Sequence, residues 1–129
     1  MEKTVVIGGN EYRMRASALI PRLYRFKFGR DVISDMNTLR KALRKAQDVA
    51  QKADATEDEI RDAQLGVIDL TIFENIAWLL CKHADNAIPD TPDEWLESID
   101  GVFPVYEALP AIIELWDAGA SQTSVPAKK

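Results

Sequence analysis

In the first fifteen positions two short segments, placed as antiparallel strands, collect most of their apolar residues on one face. Thr4-Val5-Val6-Ile7 and Glu11-Tyr12-Arg13-Met14-Arg15 flank Gly8-Gly9-Asn10, which predicts a β-hairpin over 4–15. A two-residue turn at Gly9-Asn10 sets Ile7 opposite Tyr12 and Val5 opposite Met14 on one apolar face. Gly9 then supplies the positive φ needed at the first central position of such a turn. A two-stranded hairpin is marginal alone in water, so this face must dock on the rest of the chain or on a partner.

After residue 16 the apolar spacing changes to helical. Ser17 is a good N-cap, Pro21 falls in the first turn, and Gly29 can take the left-handed conformation that ends a helix. Leu19, Ile20, Leu23, Tyr24 and Phe26 form its apolar stripe. A second helix is predicted over 31–53. Val32, Met36, Leu39, Leu43, Ala46, Ala50 and Ala53 make a thin heptad-like seam, with Arg40, Lys41, Arg44, Lys45 and Lys52 opposite. Such a helix packs along another helix of the chain or along a second copy, and the short turn after it favours the first.

Asp54-Ala55 is that turn. Thr56 with Glu59 three residues on is a capping box, and opens a third helix predicted over 56–84. It is amphipathic at first (Ile60, Ala63, Val67). From Leu65 to Cys81 it is apolar nearly all round, the pattern of a central, buried helix; Gly66 marks close packing. Residues 86–90 form a loop. Thr91-Pro92-Asp93-Glu94 starts a short helix that buries Trp95, Leu96 and Ile99, and Asp100-Gly101 breaks it. A last helix over 104–117 turns Val105, Leu109, Ile112, Ile113 and Trp116 inward. Pro110 is expected to kink it or to start it afresh. Residues 118–129 are small and polar and read as a disordered tail. The prediction is a mainly α single domain over 1–117: four to five helices behind an N-terminal hairpin.

With 129 residues, 47% of them hydrophobic, the chain is long enough for one core without disulfides or metal. Cys81 is the sole cysteine, which fits a reducing compartment. The first fifteen residues do not resemble a secretory signal, and no apolar run approaches the roughly 18 residues of a membrane span. Charge is unevenly placed. Residues 1–53 hold 12 Lys/Arg and 5 Asp/Glu (+7), and residues 54–129 hold 4 and 16 (−12), giving the net −5. Either the fold brings the halves together and neutralises them, or the polarity serves self-association or a charged partner.

Candidate chemistry is sparse. His83 is the only histidine, and on a helix it points about 200° away from Cys81, so the two do not share a ligand site. No metal, cofactor or catalytic set is expected, and the chain does not read as an enzyme. Paired carboxylates are abundant (Glu57, Asp58, Glu59, Asp93, Glu94, Glu97), and most of these six fall in first helical turns, where the helix dipole favours acid. Asp69 and Glu74 in the apolar helix lie five apart and do not share a face well; a buried Asp there calls for an ion pair, and Arg22 or Arg25 would serve. Arg22, Tyr24, Arg25, Phe26, Lys27, Phe28 and Arg30 interleave bases and aromatics. That pattern suits single-stranded nucleic acid, or else an amphipathic helix with its aromatics inward. The net acidity and the lack of a nucleic-acid motif favour the second.

Several segments in order resemble the tail assembly chaperones of long-tailed, siphovirus-type bacteriophages and prophages of Gram-positive bacteria. They are Ile7-Gly8-Gly9-Asn10-Glu11-Tyr12, an apolar helix closing on Phe28-Gly29-Arg30-Asp31, the stretch Ala77-Trp78-Leu79-Leu80-Cys81-Lys82-His83-Ala84-Asp85, then Ile88-Pro89, Trp95-Leu96 and Leu115-Trp116. The resemblance implies a non-enzymatic protein of the host cytoplasm, left out of the mature virion. It would coat the tape measure protein, keep it soluble, recruit tail tube subunits and self-associate weakly. Partner contact is then expected on helices one and two, at Arg22, Tyr24, Arg25, Phe28 and Arg30 and at Met36, Leu39 and Leu43.

Overall fold

The computed structural model describes residues 2–7, 9–52, 54–59, 70–99 and 105–124. It is mainly helical with an N-terminal hairpin, as the periodicities predict. The strands are Glu2–Ile7 (β1) and Asn10–Arg15 (β2), antiparallel. The helices are Ile20–Phe28 (α1), Val32–Ala50 (α2), Leu70–Ala84 (α3), Pro92–Ser98 (α4) and Val105–Ser124 (α5).

The hairpin register differs from the expected one. Ile7 pairs with Asn10 and Val5 with Tyr12, where a Gly9-Asn10 turn would set Ile7 opposite Tyr12 and Val5 opposite Met14. Gly9 does have positive φ, +84°. The slip is two residues, and side chains alternate with period two. The faces are therefore unchanged: Val5 and Met14 are buried, and Tyr12 meets Trp95 edge-to-face at 6.0 Å between centroids.

The helices begin and end where local chemistry dictates. In α1 Pro21 sits in the first turn, and Gly29 at φ +67° donates its N–H to the Arg25 carbonyl at 2.8 Å. Leu19 occupies the cap position, and Ser17 stands two residues earlier, where its Oγ accepts from the Leu19 N–H at 3.2 Å. The Asp31 carboxylate caps α2 through the Ile33 N–H at 2.9 Å. Thr56 and Glu59 form the expected reciprocal box, at 3.0 and 3.1 Å, and residues 57–59 are helical. Thr91 caps α4 through the Glu94 N–H at 3.1 Å, with Pro92 in the first turn. The expectations for residues 60–69, which include Gly66 and Asp69, for Ala53 and for Asp100-Gly101 lie outside the described residues.

α3 is the hub, packing against β2, α1, α2, α4 and α5. Ile76 to Cys81 are buried without a break, as expected of a helix with neighbours on every side. The α2 seam finds its partner within the chain: Val32, Met36, Leu39 and Ala42 are buried, and α2 touches α1, α3 and α5. Leu43 is half-buried, and the side chains of Ala46 and Ala50 lie outside the described residues. β1 rests on α5, which buries Leu109, Ile112, Ile113 and Leu115. α5 is one helix through Pro110, an exposed position, and runs on to Ser124. It thus extends into the stretch whose composition reads as tail; residues 125–129 lie outside the described set.

Candidate interaction surface

α1 has two unlike faces. Tyr24 and Phe28, one turn apart, point inward: Tyr24 has no exposed surface, its ring centroid is 5.0 Å from that of Phe28, and Phe28 meets Trp78 edge-to-face at 6.0 Å. Phe26 lies between them in sequence and points the other way, 90% exposed. The expected inward place of Phe26, and of Leu19 (also exposed), is therefore corrected. Three aromatics at spacings of two cannot share one face of a 3.6-residue helix.

Phe26 separates two recesses. One, of about 290 Å³, runs between α1 and the C-terminal half of α3, with Leu23, Trp78 and Leu79 among its apolar lining and Lys27, Lys82 and His83 at its rim. Lys27 Nζ stands 5.6 Å from the centre of the Trp78 ring, a cation–π distance. The other, shallower recess lies between Pro21, Arg22, Arg25 and the opposite side of Phe26. Arg22, Arg25 and Lys27 are exposed around the ring.

The remaining expected contact residues divide. Met36 and Leu39, like Tyr24, have no exposed surface; they build the core and offer nothing to a partner in this conformation. Phe28 and Leu43 are half-buried against that core. Arg30 is committed to the fold. Its Nε and Nη2 donate to the two carboxylate oxygens of Asp35, each at 2.8 Å, and Tyr24 Oη donates to Oδ2 at 2.7 Å. Asp35 is 3% exposed, the one buried charged side chain among the described residues. Arg30's donors and the Tyr24 hydroxyl hold its carboxyl below the usual carboxylate range, against the opposing effect of burial. Burial, then the neighbouring carboxylate, pushes the Tyr24 hydroxyl up. The acids expected to need pairing were Asp69 and Glu74. Asp69 lies outside the described residues, and Glu74 is half-buried and pushed up by desolvation and nearby Asp93. Arg22 and Arg25 point to solvent instead.

Reactive groups are tied up. Cys81 is fully buried, and desolvation pushes its thiol up to about 12, so no thiolate forms near neutrality. His83 Nε2 lies 2.8 Å from Ser17 Oγ, the one serine–histidine contact among the described residues. A serine nucleophile needs a histidine that accepts a proton. Here burial and the Arg15 charge lower the His83 pKa, which opposes that step. The contact joins the start of α1 to the end of α3. No group of three or more possible metal ligands occurs among the described residues, and none of their helices is long and apolar enough to cross a membrane.

Sequence periodicity gives the burial of Ile20 and Tyr24 on α1 and of Val32, Met36 and Leu39 on α2, but two features escape it. Phe26 is the outward knob, for which the signal was its spacing of two from each inward aromatic. Lys82 is a clamp: its Nζ donates to the carbonyls of Asn86 and Ile88 and to the Asp90 carboxylate, at 2.9, 2.8 and 2.9 Å. Nothing in the sequence singles it out. A scan against protein-family models finds no match to this chain, and neither do searches of curated proteins and of solved structures.

Proposed function

We propose that the chain is a tail assembly chaperone of a long-tailed phage or prophage. It binds the tape measure protein, keeps it soluble until the tail polymerises around it, and helps recruit tail tube subunits. The reading rests on the ordered likeness of the segments quoted above. The single structural observation that supports it is Phe26, 90% exposed on α1 among Arg22, Arg25 and Lys27. An aromatic knob in a basic rim is the composition of an interaction hot spot. Holding a long helical partner soluble calls for such a surface, and for weak reversible contacts between copies.

The test is coexpression with a candidate tape measure protein, followed by capture of the soluble complex. The native chain is expected to retain the partner in the soluble fraction, and Arg22→Glu with Arg25→Glu to lose it. Arg30 stays unchanged, because its loss would strike the Asp35 cluster and not the surface. Equal precipitation of the partner with and without the native chain would sink the reading.

The same observation supports a second reading, a small nucleic-acid-associated regulator that stacks a base on Phe26 and pairs phosphates with the neighbouring bases. Its signature is binding of a single-stranded oligonucleotide that weakens steeply with salt. Absence of binding at low salt removes it.

A further inference from the structure

We infer that the groove between α1 and the C-terminal half of α3 receives an acidic amphipathic helix of a partner protein, seated with a large apolar side chain against Phe26. The inference rests on the proposed chaperone role for the partner's identity, but on the groove alone for its chemistry.

The groove has an apolar floor and a cationic rim. Leu23, Trp78 and Leu79 form the floor, and Phe26 stands up as its wall. The floor is firmly held: Trp78 Nε1 donates to the Pro89 carbonyl at 2.8 Å, and its ring is packed edge-on by Phe28. A cavity of about 290 Å³ takes one or two apolar side chains, and a rigid lining lets their burial show as affinity. Isolated exposed apolar residues are ordinary on protein surfaces. Phe26 differs in walling a recess that is itself apolar.

The rim selects the sign of the ligand. Lys82 is already engaged by two carbonyls and Asp90, and no shift toward charge is found in His83, whose pKa is lowered. Among the described rim residues the cation without a hydrogen bond to the fold is Lys27, whose Nζ lies over the Trp78 face and whose charge also acts on Asp90, with Arg22 and Arg25 beside Phe26 in the neighbouring recess. Asp90 is already bonded by Lys82, and no carboxylate is among the residues that line the groove. A helix carrying acids on either side of an apolar stripe meets both requirements. A second copy of this chain meets only one. Its α4 exposes Asp93, Glu94 and Glu97, but Trp95 is 1% exposed and spent on its own core, so α4 brings charge without an anchor. Nucleic acid would satisfy the rim but leave the aliphatic floor of Leu23 and Leu79 unfilled.

The test uses the full chain and three synthetic helical peptides of about fifteen residues. The first has leucines at i, i+3, i+4 and i+7 flanked by glutamates, the second lysines for the glutamates, and the third serines for the leucines. Binding is followed by anisotropy of the labelled peptide and by the indole N–H resonance of Trp78. The acidic peptide is expected to bind and to move that resonance, and the other two not. Phe26→Ser and Lys27→Glu, both exposed positions, should each weaken binding about tenfold. Equal binding of acidic and basic peptides overturns the inference, as does binding indifferent to both variants, or none. A single-stranded oligonucleotide that moves the Trp78 resonance where the acidic peptide does not overturns it in favour of the regulator. The chaperone reading is judged separately. If Phe26→Ser and Lys27→Glu leave capture of the coexpressed partner intact, the groove inference falls alone. If the peptide binds but the partner is never solubilised, only the chaperone reading falls.

Discussion

Tyr24 and Phe26 are two positions apart and end in opposite environments, one without exposed surface and one 90% exposed. Which aromatic faces in is decided by Asp35, which takes the Tyr24 hydroxyl and both Arg30 donors. A buried carboxylate is tolerable only when its oxygens are satisfied. Asp35→Ala leaves the Tyr24 hydroxyl buried without its acceptor, and is expected to cost about 2 kcal/mol at pH 7. The pH dependence has a definite sign. The folded-state pKa of Asp35 is depressed, so its contribution is fully present above the ordinary carboxylate value of about 3.9. It is lost as pH falls through the lower folded value. Urea melts at pH 7 and pH 3 should show the variant's deficit at pH 7 shrinking in acid. A deficit under about 0.5 kcal/mol at pH 7, the range of an ordinary surface change, would show that the cluster does not hold α1 to α2. Little of this was legible beforehand. Arg30 and Asp35 flank a helix start five residues apart, and Tyr24 joins them from α1, across the helix stop at Gly29.

Elements were more legible than contacts, because caps and periodicity are local. Thr56/Glu59, Thr91/Pro92 and Gly29 act as their residue types require. The hairpin failed in register and held in facing: Gly8-Gly9-Asn10 admits more than one register, and the slip by one position on each strand preserves every inward side chain. The loop at 86–90 shows how one element fixes the next. Trp78 and Lys82, one turn apart on α3, bond the loop's carbonyls and so set where α4 starts. Lys82→Met keeps the aliphatic stem and removes three donors. It should lower the urea midpoint by the equivalent of about 1–2 kcal/mol without changing the slope, and speed amide exchange in residues 86–90 first. Unchanged exchange there would mean that Trp78 and the Asp85 bonds to the Ala87 and Ile88 N–H groups hold the loop without Lys82.

Across the whole molecule the two oppositely charged halves are joined mainly by packing. The bonds that cross them include the Lys3–Glu114 and Arg40–Asp117 ion pairs, which are exposed and worth little. Arg22, Arg25, Lys41 and Arg44, and Asp93, Glu94 and Glu97, stay at the surface, so the fold leaves charge of both signs exposed. The buried side chains, by contrast, form one cluster that draws on both strands and all five described helices, with α3 in contact with nearly every other element. Burial of the hairpin face against α3 and α5 makes the marginal hairpin part of that unit. No described element then has a core of its own, and all should melt together. Thermal unfolding followed by far-ultraviolet circular dichroism, which reads the helices, should coincide with Trp fluorescence, which reads Trp78 on α3, Trp95 on α4 and Trp116 on α5. Amides of α3 should exchange slowest, at the global rate. If the hairpin amides exchange through an earlier, separate opening, β1 and β2 are an appendage on the helices. The edge-to-face contact of Tyr12 with Trp95 would then mark a docking joint and not the core.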